Sequence, residues 1–174
     1  MSKRETYVGD GARDIYLAST QAGVATSTGL STTQTGFTLT NPAGSGKTLV
    51  LLQVNGAVSA APAGAAPVVL AANVNPVAAA VTQTTPLTVR KANLGVSGTG
   101  VGLAASAVTL PAAPVVVAAL QTPVAASSIT PANLNVSFDG SLTIAPGCAL
   151  SLSSITTAVT GIWSMVWEEI DEIS

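Results

Sequence analysis

Apolar and polar residues alternate with a period of two in several short stretches, the spacing of a strand that buries one face. Gly36-Phe37-Thr38-Leu39-Thr40 is the first of them. A turn-rich break, Asn41-Pro42-Ala43-Gly44-Ser45-Gly46, separates it from the apolar run Thr48-Leu49-Val50-Leu51-Leu52-Gln53-Val54, which Asn55-Gly56 closes. Strand, glycine-rich break and strand together predict a hairpin. The last third repeats the pattern more plainly. Leu134, Val136 and Phe138 alternate with Asn135 and Ser137, and Asp139-Gly140 predicts a tight turn. Leu142 and Ile144 alternate with Ser141 and Thr143, and Pro146-Gly147 turns the chain again. Residues 149–155 form another alternating strand. A final one over residues 158–170 sets Trp163, Met165 and Trp167 on one face, with Ile162, Ser164 and Val166 on the other.

Between these ends, residues 57–130 are biased toward Ala, Val, Pro and Thr, and the proline spacing forbids long helices. Short β-rich runs recur at residues 67–71, 87–90 and 115–120, and Ala78 to Ala80 allow at most a helical turn. Residues 93–102, with four glycines, predict a flexible loop. Residues 12–34 are rich in Ser, Thr and Gly with little periodicity, which suggests extended or loop structure. Short strands at near-regular spacing, punctuated by Gly and Pro, predict an all-β protein. The expected fold is an antiparallel β-sandwich formed by residues 15–174, preceded by a charged, extended N-terminal arm of residues 1–14. At 174 residues, one domain accounts for the chain.

Charge is where the composition departs from the ordinary. Only 8% of residues are charged, against about 25% in a typical soluble domain. Lys3, Arg4, Glu5, Asp10, Arg13 and Asp14 crowd the start, and Glu168, Glu169, Asp171 and Glu172 crowd the end. Between Ile15 and Trp167 only Lys47, Arg90, Lys91 and Asp139 are charged. Such a surface is either solvated by Ser, Thr, Asn and Gln or covered by other subunits. A net charge of −2 suggests neither nucleic-acid binding nor electrostatic attachment to a membrane. The long uncharged stretches are broken by prolines and polar residues, unlike a spanning helix. The first ten residues lack the apolar segment of a signal peptide, so a soluble protein made in the cytoplasm is expected.

No motif promises chemistry. With no histidine and the single Cys148, the chain lacks Ser–His and Cys–His pairs, an intrachain disulfide and a cysteine zinc site. The segment from Asn41 to Thr48 imitates a phosphate-binding loop. Yet Asn41 stands where that motif has its first glycine, Pro42 has no N–H to donate, and a strand pattern follows instead of a helix. The exposed Lys47 then simply decorates a loop. Asp139, the nearest candidate for a second acidic partner, sits in its own Asp-Gly turn. Glu168, Glu169, Asp171 and Glu172 would alternate between faces, and are better read as a charged tail that guards the last strand's edge than as calcium ligands. Trp163 and Trp167 fit core or subunit packing better than a sugar-stacking platform. Cys148 reads as a small buried hydrophobe, and Arg90-Lys91 as a pair able to bridge to a partner subunit. No catalytic, cofactor-binding or metal-ligating residue is expected, and the chain is not expected to be an enzyme.

Three stretches carry a resemblance. They are residues 36–52 (GFTLTNPAGSGKTLVLL), Thr85-Pro86-Leu87-Thr88-Val89-Arg90, and the ending that runs from Ile144-Ala-Pro-Gly-Cys-Ala-Leu through Ala158 to Glu169. Together they resemble small structural proteins of tailed bacteriophages, including jelly-roll head decoration (cement) proteins. The resemblance implies a jelly-roll sandwich, a homotrimer, and attachment to the major capsid protein on the outside of the virion's head. A tail or baseplate component with a receptor- or glycan-binding role is the alternative, and a P-loop phosphotransferase a distant third.

Overall fold

The computed structural model describes residues 14–73, 80–122 and 133–172. Among them are twelve strands: β1 (Ile15–Ser19), β2 (Val24–Ala25), β3 (Thr33–Thr40), β4 (Lys47–Val58), β5 (Val68–Asn73), β6 (Thr82–Leu87), β7 (Arg90–Lys91), β8 (Leu103–Thr109), β9 (Val115–Gln121), β10 (Asn133–Ile144), β11 (Ala149–Ser154) and β12 (Thr160–Asp171). They form two antiparallel sheets packed face to face. The first runs β10-β4-β12-β1-β7, with β2 also paired to β12; the second runs β6-β8-β3-β11-β5-β9. The expected all-β sandwich is what the chain forms. Among the described residues no helix is long and apolar enough to cross a membrane.

The alternation read from the sequence is the alternation of burial. On β12, Trp163, Met165 and Trp167 point into the core while Ile162, Ser164 and Val166 point away. Phe37 and Leu39 on β3, Leu150 and Leu152 on β11, and Leu70 on β5 meet them from the second sheet. The run Leu49-Val50-Leu51-Leu52 does not alternate cleanly because the ladder slips there. Val166 pairs with Gln53 but Trp167 with Leu51, leaving Leu52 as an extra residue. Such a bulge flips the side-chain parity beyond it, so Leu49 and Leu51 face inward on one side of it and Val54 on the other.

Small side chains alone would leave such a core thin, and the aromatic residues fill it. Each indole removes ~150–250 Å² of surface from water. Trp163 lies flat on two glycines: a Cβ on Gly56 would sit 2.5 Å from its ring, and one on Gly161 2.8 Å from it. Its Nε1 donates to the carbonyl of Val24 at 2.8 Å. Trp167 stacks with Tyr16, ring centroids 6.3 Å apart.

Several expectations are corrected. β3 and β4 are not a hairpin: β3 pairs with β8 and β11, β4 with β10 and β12, in opposite sheets. Both strands carry a strongly apolar face, and the break lets those faces meet across the core instead of lying side by side. Asn41, fully buried, fixes this crossing, its side-chain amide donating to the carbonyls of Lys47 (2.7 Å) and Ile144 (2.8 Å). Asp139-Gly140 does not reverse the chain either. Both take positive φ (47° and 83°) within β10, which continues along β4 with Ser137 opposite Gln53 and Leu142 opposite Leu51. The pair is a bulge. Pro146-Gly147 does turn the chain, with Cys148 N–H donating to Ala145 and Gly147 at φ 85°.

β1 and β8 lie in segments whose weak periodicity gave no strand. The expected strand at residues 87–90 is split, β6 ending at Leu87 and β7 starting at Arg90. Ala80 is not helical, and Ala78 and Ala79 lie outside the described residues. So do residues 1–13 of the expected arm. Asp14 is tied in, its carbonyl accepting from Glu169 N–H at 2.8 Å.

Candidate assembly surface

The residues singled out from the sequence do not converge on one site. Lys47 is the first residue of β4, with no helix after it, and its Nζ meets Asp171 at 2.6 Å. That hydrogen bond holds the Asp171 carboxyl below its ordinary range and the Lys47 ammonium above its own. The phosphate-loop geometry is absent here. Trp163 and Trp167 are core residues, unavailable to stack a sugar. Lys91 makes its ion pair within the chain, to Asp14 at 3.1 Å. Cys148 is only half-buried, and that burial raises its thiol pKa. Among the described residues, no cluster of three or more His, Cys, Asp or Glu side chains could hold a metal ion.

Glu169 is the main correction. β12 is an interior strand of its sheet, so its acidic end guards no edge. Glu168 takes the outward parity and Asp171, at the end of the strand, is exposed, but Glu169 points in and is buried. Its Oε1 accepts from Gly102 N–H at 2.9 Å and Trp167 Nε1–H at 3.1 Å; its Oε2 accepts from Val101 N–H at 2.9 Å. The parity that buries Trp163, Met165 and Trp167 reaches 169 two residues later, so the signal was present in the sequence. Tyr16 sits beside this carboxylate, and its hydroxyl pKa is raised by burial and then by the charges of Asp14 and Glu169.

The clamp explains the path of the chain between β6 and β8. From β6 in the second sheet it crosses to β7, which pairs with β1 in the first, and then returns to β8. Residues 92–102 form the loop within this excursion. Ala92 N–H donates to Ile15, and Glu169 fixes Val101 and Gly102. The expected loop is therefore pinned at both ends, and between them its tip exposes Leu94 (75%) and Val96 (48%). The excursion links the two sheets along one side of the sandwich.

On the opposite side the outer strands are β10 and β9, and there the chain passes from the second sheet to the first. Three of the four sheet edges carry features that discourage pairing with other chains. β6 contains Pro86, β7 is two basic residues long, and β10 has the Asp139-Gly140 bulge. β9 has neither charge nor proline nor glycine, and exposes Val115, Val116 and Val117 in succession. Its ladder to β5 slips at Val117 and Leu120, which is how consecutive valines come to face outward. Beside it lies a cleft of about 300 Å³, lined by Val117, Leu142, Ile144, Cys148 and Asn73 among others. Asn73 is buried, and its Nδ2 has no acceptor among the described residues.

The chain matches no protein-family model, no curated protein and no solved structure.

Proposed function

We propose that this chain is a structural protein of a tailed-bacteriophage virion. In this reading it is a jelly-roll decoration protein, without chemistry of its own, that binds the outside of the head as a homotrimer and stiffens the shell. Strand order supports the jelly-roll part. Set aside β2 and the inserted β6, β7 and β8, and number the other strands one to eight along the chain. The sheets then read 6-3-8-1 and 2-7-4-5. Strand one lies beside eight, two beside seven, three beside six and four beside five, as in a long hairpin rolled into a double-sheet jelly roll.

The observation that carries the functional part is an apolar, uncharged edge at β9 next to an apolar cleft. A protein that works by contact needs large neutral surfaces that neighbours cover. A sugar-binding tail tip would draw on Trp163 and Trp167, and the core has taken both.

Heat stability of heads tests the reading. A partner that binds only the intact lattice stabilises it by mass action. Heads carrying the protein should rupture at a higher temperature than heads lacking it, and the difference should survive high salt because few charges take part. Heads equally stable without it, or density for it on the tail alone, would remove the decoration role.

A further inference from the structure

We infer that Asp139-Gly140 is a site of spontaneous backbone modification, where the folded chain converts to isoaspartate, while the chemically faster pair Asn55-Gly56 is locked. The inference stands apart from the reading above and needs neither an oligomer nor a virion.

The reaction asks for freedom of one peptide unit. A backbone nitrogen attacks the side-chain carbonyl carbon of the residue before it and closes a five-membered succinimide. At Asp139 the Gly140 nitrogen bonds to Cγ and gives up its proton, the protonated carboxyl gives up a hydroxyl, and water leaves. At Asn55 the same closure expels ammonia. Water then opens the ring. When it adds at the main-chain carbonyl, the bond from that carbon to nitrogen breaks, and the chain runs on through Cγ with a free α-carboxylate. Glycine in second place leaves the nitrogen unobstructed. In an unfolded chain Asn-Gly closes faster than Asp-Gly, because a carboxyl is mostly ionised at neutral pH and its carbon then resists attack.

The structure reverses that order. Asn55 and Gly56 lie in β4, an interior strand. Asn55 stands opposite Asn135 and Ser164, and Gly56 opposite Leu134 and Trp163. Gly56 is buried, with the Trp163 ring 2.5 Å from where a Cβ would be. Ring closure there would remove an N–H from a buried strand and turn that strand out of both ladders. Asp139 and Gly140 meet none of these obstacles. β10 is outermost among the described strands of its sheet, and its ladder to β4 has no pair between Ser137–Gln53 and Leu142–Leu51. Asp139 is exposed, and its Oδ1 accepts from the Ser137 hydroxyl at 2.8 Å, also at the surface. Gly140 can swing toward Cγ without breaking a ladder pair, and a bulge already out of register accommodates one more backbone carbon. Every other described Asn or Asp precedes a residue with a side chain, and Asp10-Gly11 lies outside the described residues.

Trypsin separates the three pairs, leaving Asp10 on residues 5–13, Asn55 on 48–90 and Asp139 on 92–174. The full chain is incubated at neutral pH, folded or in guanidinium chloride, then digested and labelled by an isoaspartate-specific methyltransferase. From the folded chain, label should accumulate on 92–174 and not on 48–90. From the unfolded chain both should take it up, 48–90 first. The slowing of Asn55 on folding should match the hydrogen-exchange protection of the Gly56 amide, since both need the strand to open. Asp139→Glu, whose longer side chain closes no five-membered ring, should lose the label on 92–174. Fragmentation of the wild-type peptide places the added carbon between residues 139 and 140 whether or not that variant folds. A folded chain whose residues 92–174 stay unlabelled while the unfolded chain's react would overturn the inference. So would label on that peptide at another residue, or Asn55 converting as fast folded as unfolded.

Discussion

Replacing Glu169 with Gln changes one atom of a buried carboxylate and should loosen the loop between β7 and β8. The two carboxylate oxygens accept three hydrogen bonds, from Val101 N–H, Gly102 N–H and Trp167 Nε1–H. An amide has one acceptor oxygen, and its NH2 group must face whatever the second oxygen served. If that oxygen is Oε2, the Val101 N–H is orphaned; if the amide is flipped, Gly102 and Trp167 both lose their acceptor. The better orientation leaves one buried donor unpaired, at about 1–3 kcal/mol. The bonds that remain fall from charge-assisted to neutral, roughly halving their strength. Together the loss is about 2–4 kcal/mol, a large part of the ~5–15 kcal/mol that holds a domain folded. Urea unfolding followed by tryptophan fluorescence reads the global part, and amide hydrogen exchange at Val101 and Gly102 reads the local part. A lower midpoint and faster exchange at these two amides are expected. Wild-type protection at both, with an unmoved midpoint, would refute the clamp.

Gly56→Ala should destabilise by about 1–3 kcal/mol through overpacking, because its Cβ would lie 2.5 Å from the Trp163 ring, which Gly161 and the bond to Val24 hold in place. Adding Trp163→Phe should recover part of that loss in thermal unfolding, and a neutral Gly56→Ala would show that the ring has room to move. Lys47→Ala should leave folding and oligomer mass nearly unchanged, since its pair with Asp171 is largely exposed and salt-screened. What the pair contributes is present above the ordinary Asp171 pKa of 3.8 and is lost as pH falls through the lowered value. At the alkaline end it is present below the ordinary Lys47 pKa of 10.5 and is lost as pH rises through the raised one. Wild type and Lys47→Ala compared from pH 3 to 11 on roughly a one-unit grid should therefore differ most in the middle and converge at both ends. A difference that grows toward either extreme would contradict that sign.

The class of fold was legible because burial in a sheet has a period of two, and β10, β11 and β12 carry it in their own residues. Their partners were not. That β3 and β4 lie in opposite sheets depends on Asn41 reaching the carbonyl of Ile144, about a hundred positions away, and no local pattern holds that contact. Asp139-Gly140 illustrates the same limit, since left-handed backbone serves a bulge as well as a hairpin turn. Of the surface features, Glu169 could have been placed by continuing the parity of Trp167. The exposed edge at β9 could not, because whether an apolar run is central or outermost is set by the order of the whole sheet.

The scarcity of charge and the shape of the sandwich have a common consequence. A monomer with this composition keeps its surface wet through hydroxyls and amides, yet even buried positions here are small and polar. Thr38 bonds Ser151 at 2.9 Å and Ser153 bonds Gln34 at 2.6 Å, all four of them buried. These pairs satisfy one another within the second sheet, although Thr40 Oγ1, Asn73 Nδ2 and Gln83 Nε2 of the same sheet find no partner among the described residues, and its outermost strand β9 is an apolar edge with no charge to repel a neighbour. Large apolar residues outside the core are few, and two of them stand on the loop tip that Glu169 and β7 hold out from the other side. The insertion from β6 to β8 joins the sheets on the side of that tip, and the passage from β9 to β10 joins them on the other, so the apolar tip and the apolar edge stand on opposite sides of the sandwich.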